Sequence, residues 1–289
     1  MDMEKIRPVI GTKSATRHIL NTFGLHASKR FGQNFLVDPL VVADTVDAAD
    51  IKDGERILEI GPGIGTLTQG LLEAGATVTA VEIDKKLPAV LNKTLEGYEN
   101  FRLVEGDILK TDLRAVMGDA PFKVVANLPY YITTPILIEL LSRNLPITQI
   151  VAMVQKEVAL RIIADAGTKD YGSLSVIIKY HTTPRIVRFV PPASFLPPPE
   201  VESAVISCAV RREKPPVADE EIFFKLVRAA FGQRRKTLAN ALKGAGFDKE
   251  VVKVATFRAE IDGGRRGETL SIDEFLRLAD AYCAAKKEK

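Results

Sequence analysis

The sequence predicts a mixed α/β protein in which a parallel, doubly wound sheet precedes a small all-helical domain. Apolar strand-like runs alternate with helical segments from residue 56 to residue 167, which is typical of parallel sheets. The glycine-rich stretch GPGIG directly follows the first of these strands, where such sheets bind ligands. The composition then changes at RREKPPVADEE, residues 211–221, a charged and proline-bearing segment that indicates a linker.

Each element of the sheet domain follows from a local pattern. Runs rich in β-branched residues predict strands, namely RILEI (56–60), TVTAVEI (77–83), FRLVEGD (101–107), KVVANLPY (123–130), QIVAMVQ (149–155), SLSVIIKYH (173–181), RIVRFV (185–190) and ESAVISCAVRR (202–212). Helical periodicity predicts helices, namely LVVADTVDAAD (40–50), TLTQGLLEAG (66–75), KKLPAVLNKTLEG (85–97), PILIELLSR (135–143) and KEVALRIIADAG (156–167). We expect SLSVIIKYH and RIVRFV to form a closing strand pair.

These patterns divide the chain into three parts. Residues 1–28 lack clean periodicity and are expected to form a loose N-terminal arm with a short helix. Residues 29–213 are expected to form the sheet domain. Residues 214–289 carry four helical patterns, EEIFFKLVRAAF, RKTLANALKGAG, DKEVVKVATF and SIDEFLRLADAYCAAKK, and are expected to form the helical domain.

The composition favours a soluble cytoplasmic protein, with 46% hydrophobic and 27% charged residues. The charged N-terminus lacks the apolar run of a secretory signal, and no stretch reaches the roughly 18 apolar residues of a membrane span. Cys208 and Cys283 match no metal-ligand spacing. We therefore expect unpaired thiols in a reducing compartment, no metal and no membrane.

Positive charge is concentrated at the two ends of the chain. Residues 1–40 hold six Lys and Arg against three Asp and Glu, and residues 211–289 hold eighteen against thirteen. Residues 41–210 hold sixteen against twenty-one. Such asymmetry favours a polyanionic partner bound by the ends of the chain, although solvated surface charge explains the composition equally well.

Three successive strands end in groups that suit a nucleoside. Gly61, Gly63 and Gly65 allow close approach of a ligand to the backbone at the start of a helix. Glu82 ends the second strand, where a carboxylate can accept both ribose hydroxyls. Asp107 ends the third strand and can accept from an adenine amino group. Because no phosphate-binding Lys/Thr motif is present, the pattern favours S-adenosylmethionine over a hydride-transfer dinucleotide.

The stretch NLPY at the end of the fourth strand has the chemistry of an adenine-modifying site. The adenine N6 amine is a poor nucleophile, so its methylation requires acceptors that draw the nitrogen toward tetrahedral geometry. The Asn127 side-chain oxygen and the carbonyl of Leu128 or Pro129 can serve as these acceptors. Tyr130 offers a face on which an extruded base can stack.

Other segments are candidates for contacts with RNA. Phe195 precedes three prolines and either supplies a second stacking ring or belongs to a plain linker. Arg234, Arg235 and Lys236 stand at the start of a predicted helix, where cations are unfavourable unless a polyanion satisfies them. This position favours phosphate contacts, although three exposed basic residues are commonly only solvated. The candidate basic residues are Lys29, Arg30, Arg234, Arg235 and Lys236.

As a set, the motifs resemble those of the KsgA/RsmA-type small-subunit ribosomal RNA adenine dimethyltransferases, which are related to the Dim-type and Erm enzymes. The resemblance covers about residues 25–285. It rests on GQNFL, EIGPGIGTLT, VEID, EGDIL, NLPYYITTPIL, MVQKEVALRI, YGSLSV, FLPPPEVESAV and FGQRRKTLANAL.

This resemblance implies a Rossmann-like class I methyltransferase sheet and a helical domain that contacts RNA. It implies that Asn34 and Leu36 line the methionine end of the cofactor, and it matches four further residues to cofactor contacts: Gly61, Glu82, Asp107 and Asn127. The implied reaction is dimethylation of two adjacent adenines in the 3′-terminal hairpin loop of 16S rRNA. The implied partner is an immature small subunit, with the enzyme acting as a monomer.

Two alternatives remain open from the sequence. One is an adenine methyltransferase that acts on large-subunit RNA or on DNA. The other is an assembly or transcription factor that binds RNA without catalysis. The leucine of NLPY resembles the small-subunit enzymes more than the Erm enzymes, in which isoleucine usually stands second.

Overall fold

The computed structural model describes residues 8–28, 32–233 and 235–288, and these fold into two units. The first unit contains the described residues up to Ala159 together with Pro184–Val210, and the second contains Leu160–Thr183 together with the described residues from Arg211 onward. The first unit holds a mixed sheet flanked by helices, and the second is helical. The predicted α/β class is confirmed.

The strands of the described chain follow the predicted order with two short additions and without the strand predicted at residues 173–181. They are β1 (Phe35–Leu36), β2 (Arg56–Ile60), β3 (Thr77–Glu82), β4 (Phe101–Glu105), β5 (Phe122–Asn127), β6 (Ile147–Gln155), β7 (Thr182–Val190), β8 (Phe195–Leu196) and β9 (Ser203–Val210).

The main sheet has the strand order β4-β3-β2-β5-β6-β9-β7 within the described residues. The pairs from β4 to β6 are parallel, and β9 is antiparallel to β6. The carboxyl ends of β2, β3, β4 and β5 therefore meet at one edge of the sheet. Ligands of doubly wound sheets bind at this edge.

The helices connect the strands and build the second unit. Those of the described chain are α1 (Lys13–Thr22), α2 (Pro39–Ala49), α3 (Thr66–Glu73), α4 (Pro88–Thr94), α5 (Leu113–Met117), α6 (Thr133–Ser142), α7 (Lys156–Ile163), α8 (Ser173–His181), α9 (Glu220–Gly232), α10 (Leu238–Gly244), α11 (Lys249–Arg258) and α12 (Ile272–Lys287). None of the helices in the described ranges is both long and apolar enough to cross a membrane.

Several helices begin where the sequence places a capping residue. The Asp38 carboxylate accepts from the N–H of Leu40 at the start of α2, and Pro39 occupies the first turn. Ser271 and Glu274 form a capping box at the start of α12. These caps satisfy backbone donors that a helix start would otherwise leave unpaired.

The prediction for SLSVIIKYH is wrong, because this segment is the helix α8 and not a strand. Seven of its nine residues are buried, so it shows neither the two-residue alternation of a half-buried strand nor a clear helical stripe. Its β-branched residues then favour a strand on propensity alone. Packing within the helical unit overrides that preference: the Tyr180 hydroxyl donates to Glu220 of α9 at 3.0 Å.

The helical unit is thus made of two chain segments: residues 160–183 and the described residues from Arg211 onward. The sequence places the division at 213/214 and does not foresee this earlier segment. The division into a catalytic domain and an RNA-contacting domain remains a prediction.

The described part of the N-terminal arm is not loose. The short helix expected there is α1, and the N–H of Ile10 donates to Gln69 of α3 at 2.9 Å. Ile10 is buried in the core of the sheet unit, and Ile19 and Leu20 pack against that core. Burial of these apolar side chains holds the arm against the sheet unit.

The short strands β1 and β8 pair with each other and join two motifs that are distant in sequence. Phe35 faces Leu196, and Leu36 faces Phe195, in an antiparallel register. The segment QNFL is thereby held by the segment FLPPP.

Candidate active site

A pocket lies at the carboxyl ends of β2, β3, β4 and β5. The structure brings together in its lining ten of the residues that the sequence singles out: Asn34, Leu36, Gly61, Gly63, Glu82, Asp107, Asn127, Leu128, Pro129 and Tyr130. The predicted cofactor residues and the predicted NLPY turn therefore share one pocket.

The glycine turn after β2 requires backbone angles that other residues rarely adopt. Gly61, Gly63 and Gly65 have φ values of +67°, +62° and +94°. A Cβ atom on Gly63 would lie 3.5 Å from the Phe35 ring. The glycines thus allow a tight turn over which β1 can lie, and the turn leads directly into α3.

Glu82 is held at the end of β3 by backbone donors. Its Oε1 accepts from the N–H of Asp84 at 2.7 Å, and its Oε2 lies 3.4 Å from the N–H of Gly63. The side chain is buried, and this burial raises the pKa of the Glu82 carboxyl. These bonds fix a carboxylate at the place predicted for ribose recognition.

The QNFL segment is fastened to two strand ends by side-chain hydrogen bonds. The Gln33 amide donates to Asp84 Oδ2 at 2.9 Å, beyond the end of β3. Asn127 Nδ2, at the end of β5, donates to the carbonyl of Asn34 at 3.3 Å. The second bond orients the Asn127 amide so that its Oδ1 is left to accept from a ligand.

The hydrogen bonds of the NLPY turn indicate which carbonyl, that of Leu128 or that of Pro129, is the better candidate acceptor for the target amine. The Pro129 carbonyl accepts from the N–H of Ile132 at 3.2 Å and from the Thr133 hydroxyl at 2.9 Å. Two donors use both lone pairs of that oxygen. Across the described residues, no hydrogen bond is seen at the Leu128 carbonyl, so this group is the better candidate acceptor.

The aromatic residues differ in their placement. Tyr130 is half-buried and lines the pocket, whereas Tyr131 is 55% exposed. Phe195 is only 2% exposed, lies in the core beside β1 and does not line the pocket. Its ring offers no free face to a base in this structure, so the structure gives the predicted stacking role of Phe195 no support.

The pocket is acidic. Its described lining contains three carboxyl groups, those of Glu59, Glu82 and Asp107, of which Glu59 is mostly protonated at neutral pH, and no Lys, Arg or His. Such a lining disfavours phosphate-bearing ligands and favours a ligand with positive charge. Asp107 is anchored there by accepting from the N–H of Leu109 at 3.0 Å.

Glu59 is a pocket residue that the sequence does not single out. It is 1% exposed, and its Oε2 has no hydrogen-bond partner among the described atoms. Burial, with a smaller contribution from the nearby Glu82 charge, raises the pKa of Glu59 to about 8. The signal that could have identified it is a glutamate between apolar residues of the strand RILEI, two residues before the glycine turn.

The raised pKa of Glu59 predicts a pH-dependent stability that Glu59→Gln removes. Between pH 4.5 and about pH 8 the folded chain holds a proton that the unfolded chain releases. In this window the free energy of unfolding should fall by about 1.4 kcal/mol per pH unit because of this group. Urea unfolding at pH 5, 6.5 and 8 should give a flatter profile for the variant. Glu99→Gln removes a carboxylate at an exposed position and is the control. If the free energy of unfolding changed with pH in the same way for the wild type and for Glu59→Gln, the expectation would be contradicted.

The predicted basic residues are only partly described. Arg235 and Lys236 are exposed in the connection between α9 and α10, shortly before α10 begins. Lys29, Arg30 and Arg234 lie outside the described residues. The structure therefore gives the surface positions of two of the five candidates.

Comparison with known proteins agrees with this geometry. The family model described as Ribosomal RNA adenine dimethylase matches residues 24–283. A Ribosomal RNA small subunit methyltransferase A of Alkaliphilus metalliredigens is 45% identical over 282 residues, which cover 95% of this chain and 98% of the relative.

Two solved structures share the fold. A dimethyladenosine transferase from Plasmodium falciparum gives a TM-score of 0.74 at 27% identity, covering 87% of this chain and 98% of that one. The 23S rRNA methyltransferase ErmE gives a TM-score of 0.67 at 28% identity, and the match covers 86% of this chain and 100% of the ErmE chain.

Proposed function

Because this chain belongs to the ribosomal RNA adenine dimethylase family, we propose that its pocket aligns an extruded adenine with S-adenosylmethionine through the NLPY turn. The protein is an S-adenosylmethionine-dependent methyltransferase that dimethylates adenine in 16S rRNA. The observation that carries the proposed alignment is the shared pocket, in which Asn127 Oδ1 accepts no hydrogen bond from the described residues and lies beside the ligand site.

The residues present fit the cofactor. The cofactor supplies an electrophilic methyl group on a positively charged sulfur, and the acidic lining suits that charge. Glu82 would accept from the ribose hydroxyls, and Asp107 from the adenine amino group. Asn34 and Leu36 would contact the methionine end.

The chain's own contribution to the reaction is alignment and polarisation of the target amine. Asn127 Oδ1 and the Leu128 carbonyl accept from the two N6 hydrogens, which directs the nitrogen lone pair toward the methyl group. Tyr130 stacks on the extruded base and holds its plane. Fixing both partners in one pocket lowers the entropic barrier to the transfer.

The finer features of the substrate belong to the same proposal. We place the target at two adjacent adenines of the 3′-terminal hairpin loop of 16S rRNA, within an immature small subunit in the cytoplasm. A loop suits a site that needs an extruded base, because its bases are less stacked than those of a duplex. We expect the enzyme to act as a monomer.

Incubation with labelled S-adenosylmethionine and immature small subunits from a strain lacking this enzyme tests the proposal. Label should appear as N6,N6-dimethyladenine at two adjacent positions of the 3′-terminal hairpin. Parallel reactions contain large subunits or DNA, and label in either would redirect the substrate assignment. Binding without label in any of the reactions would favour a factor that lacks catalysis.

The basic loop before α10 gives a separate prediction about RNA affinity. Changing Arg234, Arg235 and Lys236 together to glutamine should weaken RNA binding and lower the slope of log K against log salt by about 2–3. Filter binding at several salt concentrations measures both quantities. Changing the exposed Lys243, Lys249 and Lys253 to glutamine controls for net charge. An unchanged slope in the first variant would remove the loop from the interface.

A further inference from the structure

The Tyr130 ring is tied to a residue of the proline-rich motif other than Phe195. The Tyr130 hydroxyl and Ser203 Oγ lie 2.5 Å apart and share a hydrogen bond. Ser203 belongs to FLPPPEVESAV, and Tyr130 belongs to NLPY. The two motifs therefore meet at this bond, 73 residues apart in the chain.

Ser203 is a rigid anchor. It is the first residue of β9, is fully buried and faces Gln155 in the β6–β9 ladder. The preceding residue, Glu202, accepts from the backbone N–H of Lys156 at 2.9 Å and from the Lys156 ammonium at 2.6 Å. The backbone at Ser203, which carries this short side chain, is thus fixed by sheet pairing and by the ion pair of the preceding residue.

Tyr130 needs such an anchor. The turn bonds at Leu128 and Pro129 fix the backbone of NLPY, but they leave the two side-chain torsions of Tyr130 unconstrained. Tyr130 is the first residue of a short 3₁₀ turn, Tyr130–Ile132. Its side chain is only half-buried, so packing alone does not hold the ring in one orientation. A bond at the far end of the ring restricts the first torsion, because it fixes the direction of the axis from Cβ to the hydroxyl oxygen along which the ring lies.

We propose that Ser203 is a positioning residue that fixes the direction of the Tyr130 side chain, and so the place of its ring, for stacking on the target adenine. This inference rests on the proposed role of Tyr130 in holding the base. It assigns to the proline-rich motif a contribution to base alignment through its serine.

A double-mutant cycle of Ser203→Ala and Tyr130→Phe tests the inference. Each single variant removes the bond, so each should lower kcat/KM for RNA about fivefold to tenfold, as expected for one hydrogen bond of roughly 1 kcal/mol. The double variant should lose no more than either single variant, because the shared bond can be lost only once. The Kd for S-adenosylmethionine, measured by calorimetry, should stay within about twofold of wild type.

Ser207→Ala is the matched control. Ser207 lies on the same strand, is buried, and accepts from the Gln149 amide at 3.0 Å, whereas Ser203 is bonded to the pocket residue Tyr130. Its variant should keep the wild-type kcat/KM.

Three outcomes would overturn the inference. They are multiplicative losses in the double variant, unchanged kcat/KM in Ser203→Ala, and a parallel loss of cofactor affinity that would indicate a general structural role. These outcomes require an active wild type. An inactive wild type on every RNA would instead reject the proposed function itself.

Discussion

Asn127→Ala should lower the rate of methyl transfer by about 10²–10³-fold, the usual cost of removing one preorganised polar group at a reacting centre. Asn127 Nδ2 donates a hydrogen bond to the Asn34 carbonyl. The other side-chain atom of the Asn127 amide, Oδ1, is therefore directed away from that carbonyl and can polarise the target amine. The alanine variant loses the acceptor and leaves the amine lone pair delocalised into the ring. Single-turnover methylation of small subunits measures this loss.

RNA binding and folding distinguish catalysis from structure in this variant. The affinity for small subunits should change less than threefold, since most of the binding free energy of such complexes comes from phosphate contacts. Asn100→Ala is a suitable control, because Asn100 also donates to a backbone carbonyl but does not line the pocket. Equal losses of methylation and of RNA affinity in Asn127→Ala would assign Asn127 a folding role.

Glu82→Ala should weaken binding of S-adenosylmethionine by about 100-fold. The two backbone donors that hold the Glu82 carboxylate position it for the ribose hydroxyls. Hydrogen bonds to a charged group contribute about 1.5–3 kcal/mol each. Losing the two bonds from the ribose hydroxyls should therefore weaken cofactor binding by about 100-fold or more. Calorimetric titration of the cofactor measures the change directly.

The neighbouring strand offers a matched control for Glu82. Glu105 pairs in register with Glu82 on β4 but is exposed and does not line the pocket. Glu105→Ala should therefore bind the cofactor as the wild type does. If both variants bound equally well, Glu82 would have no part in cofactor recognition.

The sequence predicted the strand ends of the site well, because each carries a signal that is local. Glycines that need positive φ, an acid after a β-branched run and a proline-fixed turn are all readable within a few residues. Parallel topology then requires that these ends meet at one edge of the sheet. The positions of Gly61, Glu82 and Asn127 in one pocket follow from this rule.

The parts that the sequence did not predict depend on contacts between distant segments. The helix α8 is buried on nearly all sides, so its pattern carries no period. Phe195 was expected to face a base, but it packs in the core because β8 pairs with a segment about 160 residues earlier. The role proposed for Ser203 depends on a tertiary hydrogen bond to a residue 73 positions away, which no local pattern encodes.

The pairing of β1 with β8 has a consequence for how the protein matures during synthesis. Phe35 and Leu36 leave the ribosome early, but their partners at Phe195 and Leu196 follow only after most of the sheet unit has been translated. Closing so long a loop is entropically costly and comes late in folding. A nascent chain that ends before residue 195 thus lacks the strand that pairs with β1, and the QNFL segment, which lines the pocket, is then held by its bonds to Asp84 and Asn127 without that pairing.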